Sequence, residues 1–174
     1  MKELKKILIT MLTSLILFIL QSAVFPHLSF GQVVPNLIVI AVASFGFMDG
    51  IWYGMLAGAF CGFLQDVFFG DVLGLYTMIY LFIGYMNGKL NNIFYPEDIK
   101  LPLLSVVVSD LFYGSVCYVL LFLLRGKLSA GFYYSRVIFP ELVYTVIVTM
   151  VLYPLLLLLH RVIDFGFRRK TGFE

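Results

Sequence analysis

The chain has 174 residues, 61% of them hydrophobic, with 18 phenylalanines and 11 tyrosines. Its apolar residues fill segments of helix-spanning length, which excludes a soluble globular core and implies one integral membrane domain over residues 1–174. A net charge of +2 with a short basic tail is too little positive surface for nucleic-acid binding.

Six candidate spans follow in chain order, at 7–25, 35–48, 51–69, 72–88, 101–124 and 137–160, and predict an all-α polytopic membrane protein. The second has 14 residues and would rise only about 21 Å against a hydrocarbon core of about 30 Å, so a five-span layout competes with six. Placing both termini in the cytoplasm puts nine of the twelve Lys and Arg residues on the inner side, which favours six. Lys5-Lys6 before an apolar run looks like a signal peptide, yet Ser22-Ala23-Val24 is a poor cleavage site, and a retained anchor helix is expected.

Span one ends at Phe25-Pro26-His27, where proline lacks the N–H that would continue the helix and His27 reads as a solvated loop residue. Pro35 suits a first helical position for span two, and Asn36 can cap exposed backbone groups or bond to another helix. The rest of span two is apolar on every side and reads as scaffold. The tight turn Met48–Tyr53 makes spans two and three antiparallel neighbours and sets Trp52 at the membrane interface.

Span three carries Gly54, Gly58 and Gly62 at four-residue spacing, leading in register to Asp66, with Gly46 and Gly50 extending the spacing upstream. A four-residue step drifts by roughly 40° around a helix, so these glycines form one stripe without side chains. Such a stripe lets a neighbouring backbone approach closely, and the carboxylate must face protein, a wet cavity or water at the helix end. Span four opens after Gly74-Leu75-Tyr76 and holds a second small-residue pair, Gly84 and Gly88. Tyr76, Thr77 and Tyr80 bring hydroxyls towards Asp66, and a tyrosine–carboxylate hydrogen bond there would lower the cost of burying both groups.

The polar segment 89–100 reads as a connector, with docking of a soluble partner as the alternative, and the basic, aromatic loop 125–136 as a grip on lipid headgroups or on an extracytoplasmic protein. Asp110 in span five falls nearer the membrane middle than Asp66 and needs stronger shelter. Glu141 in span six is placed to pair with Arg136 or Arg125, and the basic tail from Arg161 anchors the chain at the cytoplasmic side.

Chemistry is sparse in this sequence. His27 and His160 fall at opposite predicted faces, so a histidine-assisted nucleophile or a clustered metal site is hard to assemble. Cys61 and Cys117 both lie inside apolar spans and read as packing residues. The glycines are spaced for helix packing and not for a phosphate loop. An ion or proton path through Asp66, Asp110 and Glu141 lacks further polar residues to make it continuous. The expectation is a non-enzymatic protein without cofactor or metal.

At Pro35-Asn36, at the glycine-rich span ending in Asp66, and at Gly74-Leu75-Tyr76 followed by Tyr80 and Gly84-Tyr85, the chain resembles the MreD family of bacterial rod-shape-determining proteins. The specific part of the resemblance is 35–88; the carboxyl half matches mainly in hydropathy. The resemblance implies a scaffold or regulatory subunit of the cell-elongation machinery in the bacterial inner membrane. Its implied partners are the bitopic protein MreC and, directly or through it, the MreB filament, RodA and a penicillin-binding transpeptidase, in support of lateral peptidoglycan synthesis. The implied fold is similar to the six-helix substrate-binding subunits of energy-coupling-factor transporters, which leaves a small-molecule-binding subunit of a vitamin transporter as the alternative. The resemblance puts Pro35, Asn36, Asp66, Gly74, Leu75 and Tyr76 in a structural or MreC-binding core. The chemistry of the residues themselves adds Gly54, Gly58, Gly62, Asp110 and Glu141.

Overall fold

The computed structural model describes residues 2–28, 33–70, 72–91, 100–123 and 130–170, and in it the apolar segments form helices. Helix α1 (Lys2–Ile19) relaxes through a π-turn at Leu20–Val24 into a 3-10 turn at Phe25–Leu28. Then come α2 (Leu37–Asp49), α3 (Ile51–Phe69), α4 (Leu75–Leu90) and α5 (Lys100–Cys117), the last continued by a π-turn at Tyr118–Leu123. The short α6 (Ala130–Tyr133) passes through a π-turn at Tyr134–Ile138 into the long α7 (Phe139–Lys170). Four segments among the described residues are long and apolar enough to cross a membrane: Glu3–His27, Ile51–Phe69, Lys100–Leu120 and Gly131–Arg161.

The expected boundaries shift in three places. Pro26 does not stop the first helix at Phe25: it lies within the closing 3-10 turn, after the α-helix has already loosened into its π-turn. Span four begins at Leu75 and not at Val72, because Gly74, at φ +94°, sets the chain direction there. The last helix is much longer than 137–160 and carries Pro154 within it. The connector 92–99 and the basic residues Arg125 and Lys127 lie outside the described residues.

Helix α2 is the centre of the bundle. Every residue from Leu37 to Met48 is buried, which is what a helix apolar all round requires. It is six residues shorter than α3, so it begins about 9 Å short of the far end of its antiparallel neighbour. Its amino terminus therefore opens inside the bundle, away from the surface. No lipid-exposed backbone is tolerated at such a depth, and each of its first N–H groups has a partner. Ile38 N–H donates to Gln21 Oε1 at 2.9 Å, Val39 N–H to Asn36 Oδ1 at 3.2 Å, and Leu37 N–H to the Pro35 carbonyl at 3.1 Å. At its other end Asn91 donates to the carbonyls of Phe47 and Met48, at 2.6 and 3.0 Å.

That second end carries an ionic cluster tying the bundle together. Asp49, nearly inaccessible, pairs with Lys6 Nζ at 2.5 Å and His160 Nδ1 at 3.1 Å, joining α1, α2 and α7. Burial alone would raise the Asp49 pKa, but the His160 and Lys6 contacts outweigh it and hold the carboxyl below its ordinary value. Beside it Tyr53 donates to Glu3 Oε2 at 2.5 Å and Lys6 lies 4.6 Å from the Tyr53 ring centre. Trp52, by contrast, is 82% exposed, as a ring at a membrane interface would be.

Candidate functional site

The glycine stripe is a seam between α3 and α4. A Cβ on Gly62 would stand 2.5 Å from Thr77 Cα, and one on Gly58 would stand 2.6 Å from the Tyr80 carbonyl carbon. Gly54 and Gly84 face each other backbone to backbone, and Gly88 meets Ile51. Gly46 on α2 joins the same contact, 3.0 Å from Gly84 O and Gly88 N if it carried a Cβ. Gly50 does not: at φ +90° it makes the α2–α3 turn. Helices without side chains between them gain dispersion contacts along their whole length, which is how apolar helices associate where lipid removes the hydrophobic incentive.

The seam ends at Asp66, which is 2% exposed and so does not reach water. Its carboxylate accepts from Tyr76 N–H and Thr77 N–H, each at 2.9 Å, and from the Thr77 hydroxyl at 2.5 Å. Asp66 thus caps α4 from a different helix. Gly74 occupies the cap position and has no side chain to do it; the acid from α3 supplies both the acceptor atoms and the negative charge favoured at a helix amino terminus. The expected tyrosine hydroxyl contact is replaced by the backbone N–H of Tyr76, because the α4 start points its unsatisfied donors at the carboxylate. Leu75 and Tyr76 are half-buried beside this corner, and Tyr76 lies against Tyr113 of α5 with ring centres 6.3 Å apart.

A second set of groups gathers where α2 begins. Asn36, 2% exposed, caps α2 with Oδ1 and donates its own backbone N–H to Thr145 Oγ1 of α7 at 3.0 Å. Its side-chain amide interacts with Asp110 of α5 and Glu141 of α7, and the Thr145 hydroxyl also faces Asp110. Pro35, buried just before it, holds the chain entering the helix. Among the described residues Glu141 makes no ion pair with Arg136, and Arg125, the other expected partner, lies outside them. Arg136 is exposed, and the buried amide of Asn36 takes its place. Tyr80 and Tyr113 stack above this site at 5.1 Å.

Asp66 and Asp110 are thus not one site. Asp66 caps the amino terminus of α4, whereas Asp110 lies against the Asn36 and Thr145 side chains beside the start of α2. Asn87 is a further polar tie that sequence reading passed over. It donates to Ser109 Oγ at 2.8 Å and receives the Ser105 hydroxyl, joining α4 to α5. The signal was present as two serines four residues apart on an apolar helix, but an asparagine near a span end gave no reason to look for them.

These contacts set an expected result at Asn36. Asn36→Ala removes the cap and the bridging amide, at about 2 kcal/mol. Asn36→Asp keeps a capping oxygen but sets a third carboxyl group beside Asp110 and Glu141, so it should lower the thermal unfolding midpoint further than alanine does. An aspartate variant as stable as wild type would show that the amide hydrogens do not matter.

What the arrangement can do chemically is hold helices together; among the described residues no group of three His, Cys, Asp or Glu side chains is placed to bind a metal. No curated protein and no solved structure matches the chain. The family model described as rod shape-determining protein MreD matches residues 1–163, nearly the whole length. The chain, with its helical apolar spans, belongs to the MreD family of rod shape-determining proteins.

Proposed function

We propose that this protein is a non-enzymatic membrane scaffold or regulatory subunit of the cell-elongation machinery, that it binds MreC, and that it supports lateral peptidoglycan synthesis. The observation that carries the reading is the use made of its buried polar groups. Asp66, Asn36 and Asn87 are each committed to a contact between helices, as a rigid platform requires and as a reaction centre does not. The reading includes six membrane crossings by α1 to α5 and by α6 with α7, both termini in the cytoplasm, and a fold like that of the energy-coupling-factor substrate-binding subunits. MreB, RodA and a penicillin-binding transpeptidase would be reached directly or through MreC. Pro35, Asn36, Gly54, Gly58, Gly62, Asp66, Gly74, Leu75, Tyr76, Asp110 and Glu141 form the core on which the partner surface rests.

Crosslinking in native membranes followed by copurification tests this. Recovery of MreC is the expected outcome. Recovery of an energising ATPase with a retained small molecule, and no MreC, would replace the scaffold with a vitamin-transporter subunit. Asp66→Ala refines the result: a folded variant that recovers MreC at the wild-type level removes Asp66 from partner recognition.

A further inference from the structure

Helices α4 and α5 meet closely at one end and part at the other. Tyr80 stacks on Tyr113 at 5.1 Å and Phe82 lies 5.3 Å from Phe112, which closes the crossing towards the start of α4. Asn87 ties it further along, through Ser105 and Ser109. Beyond that tie lies a cleft of about 290 Å³, walled by Leu90 of α4, Leu101 and Leu104 of α5 and Phe47 of α2. Its rim is formed by Met86, Leu104 and Val108, which are 47%, 60% and 59% exposed. In a bilayer such a mouth faces hydrocarbon.

Shape and chemistry select the occupant. A helix is about 10 Å across and rises about 5.4 Å per turn, so a single turn fills roughly 400 Å³ and does not fit. A polar molecule meets groups already bonded to each other. Asn87 spends its two amide hydrogens on the Ile83 carbonyl and on Ser109 Oγ, each at 2.8 Å, and its oxygen receives the Ser105 hydroxyl. A hydrocarbon chain strands none of these groups and supplies the dispersion contacts that a void would forfeit. Charge then selects the headgroup. Lys89 in the last turn of α4 and Lys100 at the first residue of α5 are both exposed at the open end, and the amino terminus of α5 adds partial positive charge. Lipid tails are as apolar as the cleft walls, so the tail alone confers no preference; basic residues between membrane helices favour an anionic headgroup.

We propose that the α4–α5 cleft holds one acyl chain of an anionic phospholipid whose headgroup lies at Lys89 and Lys100. The tail fills the gap that the side chains of the two helices leave, and the headgroup ties the end of α4 to the start of α5. The site belongs to the chain in any bilayer and stands or falls separately from MreC binding; only its assignment to the cytoplasmic leaflet rests on the proposed orientation.

Photolabelling of the full-length protein in phosphatidylcholine nanodiscs tests the site, with a trace of phosphatidylglycerol that carries a diazirine in one tail. Peptide mapping should find the label concentrated at Met86, Leu104 and Val108 over Val151 and Leu155 of α7, which are equally open to lipid at 73% and 60% exposure. Lys89→Gln and Lys100→Gln, at exposed positions that leave the fold intact, should each lower cleft labelling about fivefold. Label spread evenly over α4, α5 and α7 would mean ordinary surrounding lipid and overturns the proposal. So does equal cleft labelling by phosphatidylcholine with the same tail, or labelling unchanged in the double lysine variant. A photoreactive residue placed at Leu104 in native membranes should capture lipid; capture of a protein there would make the cleft a protein contact and overturn the lipid site.

Discussion

Gly58→Leu should yield almost no folded protein. The first added carbon would stand 2.6 Å from the Tyr80 carbonyl carbon and 3.0 Å from Leu81 N, and both are backbone atoms that no rotamer change can move. Relief requires α3 and α4 to separate along the whole seam, which also parts Gly54 from Gly84 and draws Thr77 away from Asp66. Overpacking of a well-filled core costs about 1–3 kcal/mol when side chains can adjust; with two backbones as the obstacle the loss should exceed about 3 kcal/mol, in the range that unfolds marginal proteins. Size-exclusion profile and membrane abundance of a tagged protein provide the readout. Gly131→Ala is the control: nothing lies within 4 Å of a Cβ there, and it sits in a helix, so abundance should hold or rise slightly. Normal abundance and unchanged complex recovery for Gly58→Leu would end the claim that the seam needs glycine.

Asp66→Ala should rank next. It strips the acceptor from two backbone N–H groups and one hydroxyl at once. Hydrogen bonds to a charged group contribute about 1.5–3 kcal/mol, and an amino-terminal cap about 1 kcal/mol. These overlap at a single carboxylate, so the combined loss should be about 3 kcal/mol. Asp66→Asn retains one acceptor oxygen without the charge and should recover about half of that. Thermal unfolding gives the size, and hydrogen exchange gives the place, with faster exchange at Tyr76 and Thr77 before the rest of α4. If exchange rises uniformly, or stability is unchanged, the carboxylate is not the cap. Gly74 sharpens the interpretation, because at φ +94° a serine or aspartate substituted there to restore a local cap would be strained.

Much of this could be read from the residues. The glycine spacing announced a close helix contact because only glycine permits it, and the shelter demanded for Asp66 followed from the cost of an acid among apolar neighbours. The spacing did not reveal the partner. Periodicity shows which face of α3 is bare, but whether α4 or another helix fills it depends on how the chain turns back at Gly74. In the same way Asn36 was legible as a cap or a cross-helix bond, and it is both. Its link to Asp110 and Glu141 spans more than seventy residues of sequence, and no local pattern encodes it. Glu141 shows the limit most plainly: Arg136, five residues away in sequence, suggested an ion pair, while the fold sets the Asn36 amide, more than a hundred residues away, beside it.

By itself, then, the sequence determined the apolar helices, the close-contact stripe, the family and the short central span, since hydropathy and side-chain volume act within a few turns of chain. The tertiary structure decided which backbone enters the stripe, which helix terminus Asp66 caps, and that α2 begins inside the bundle. Those outcomes depend on satisfying every buried N–H and carboxylate at once, and the groups that do so are brought together only when distant helices pack.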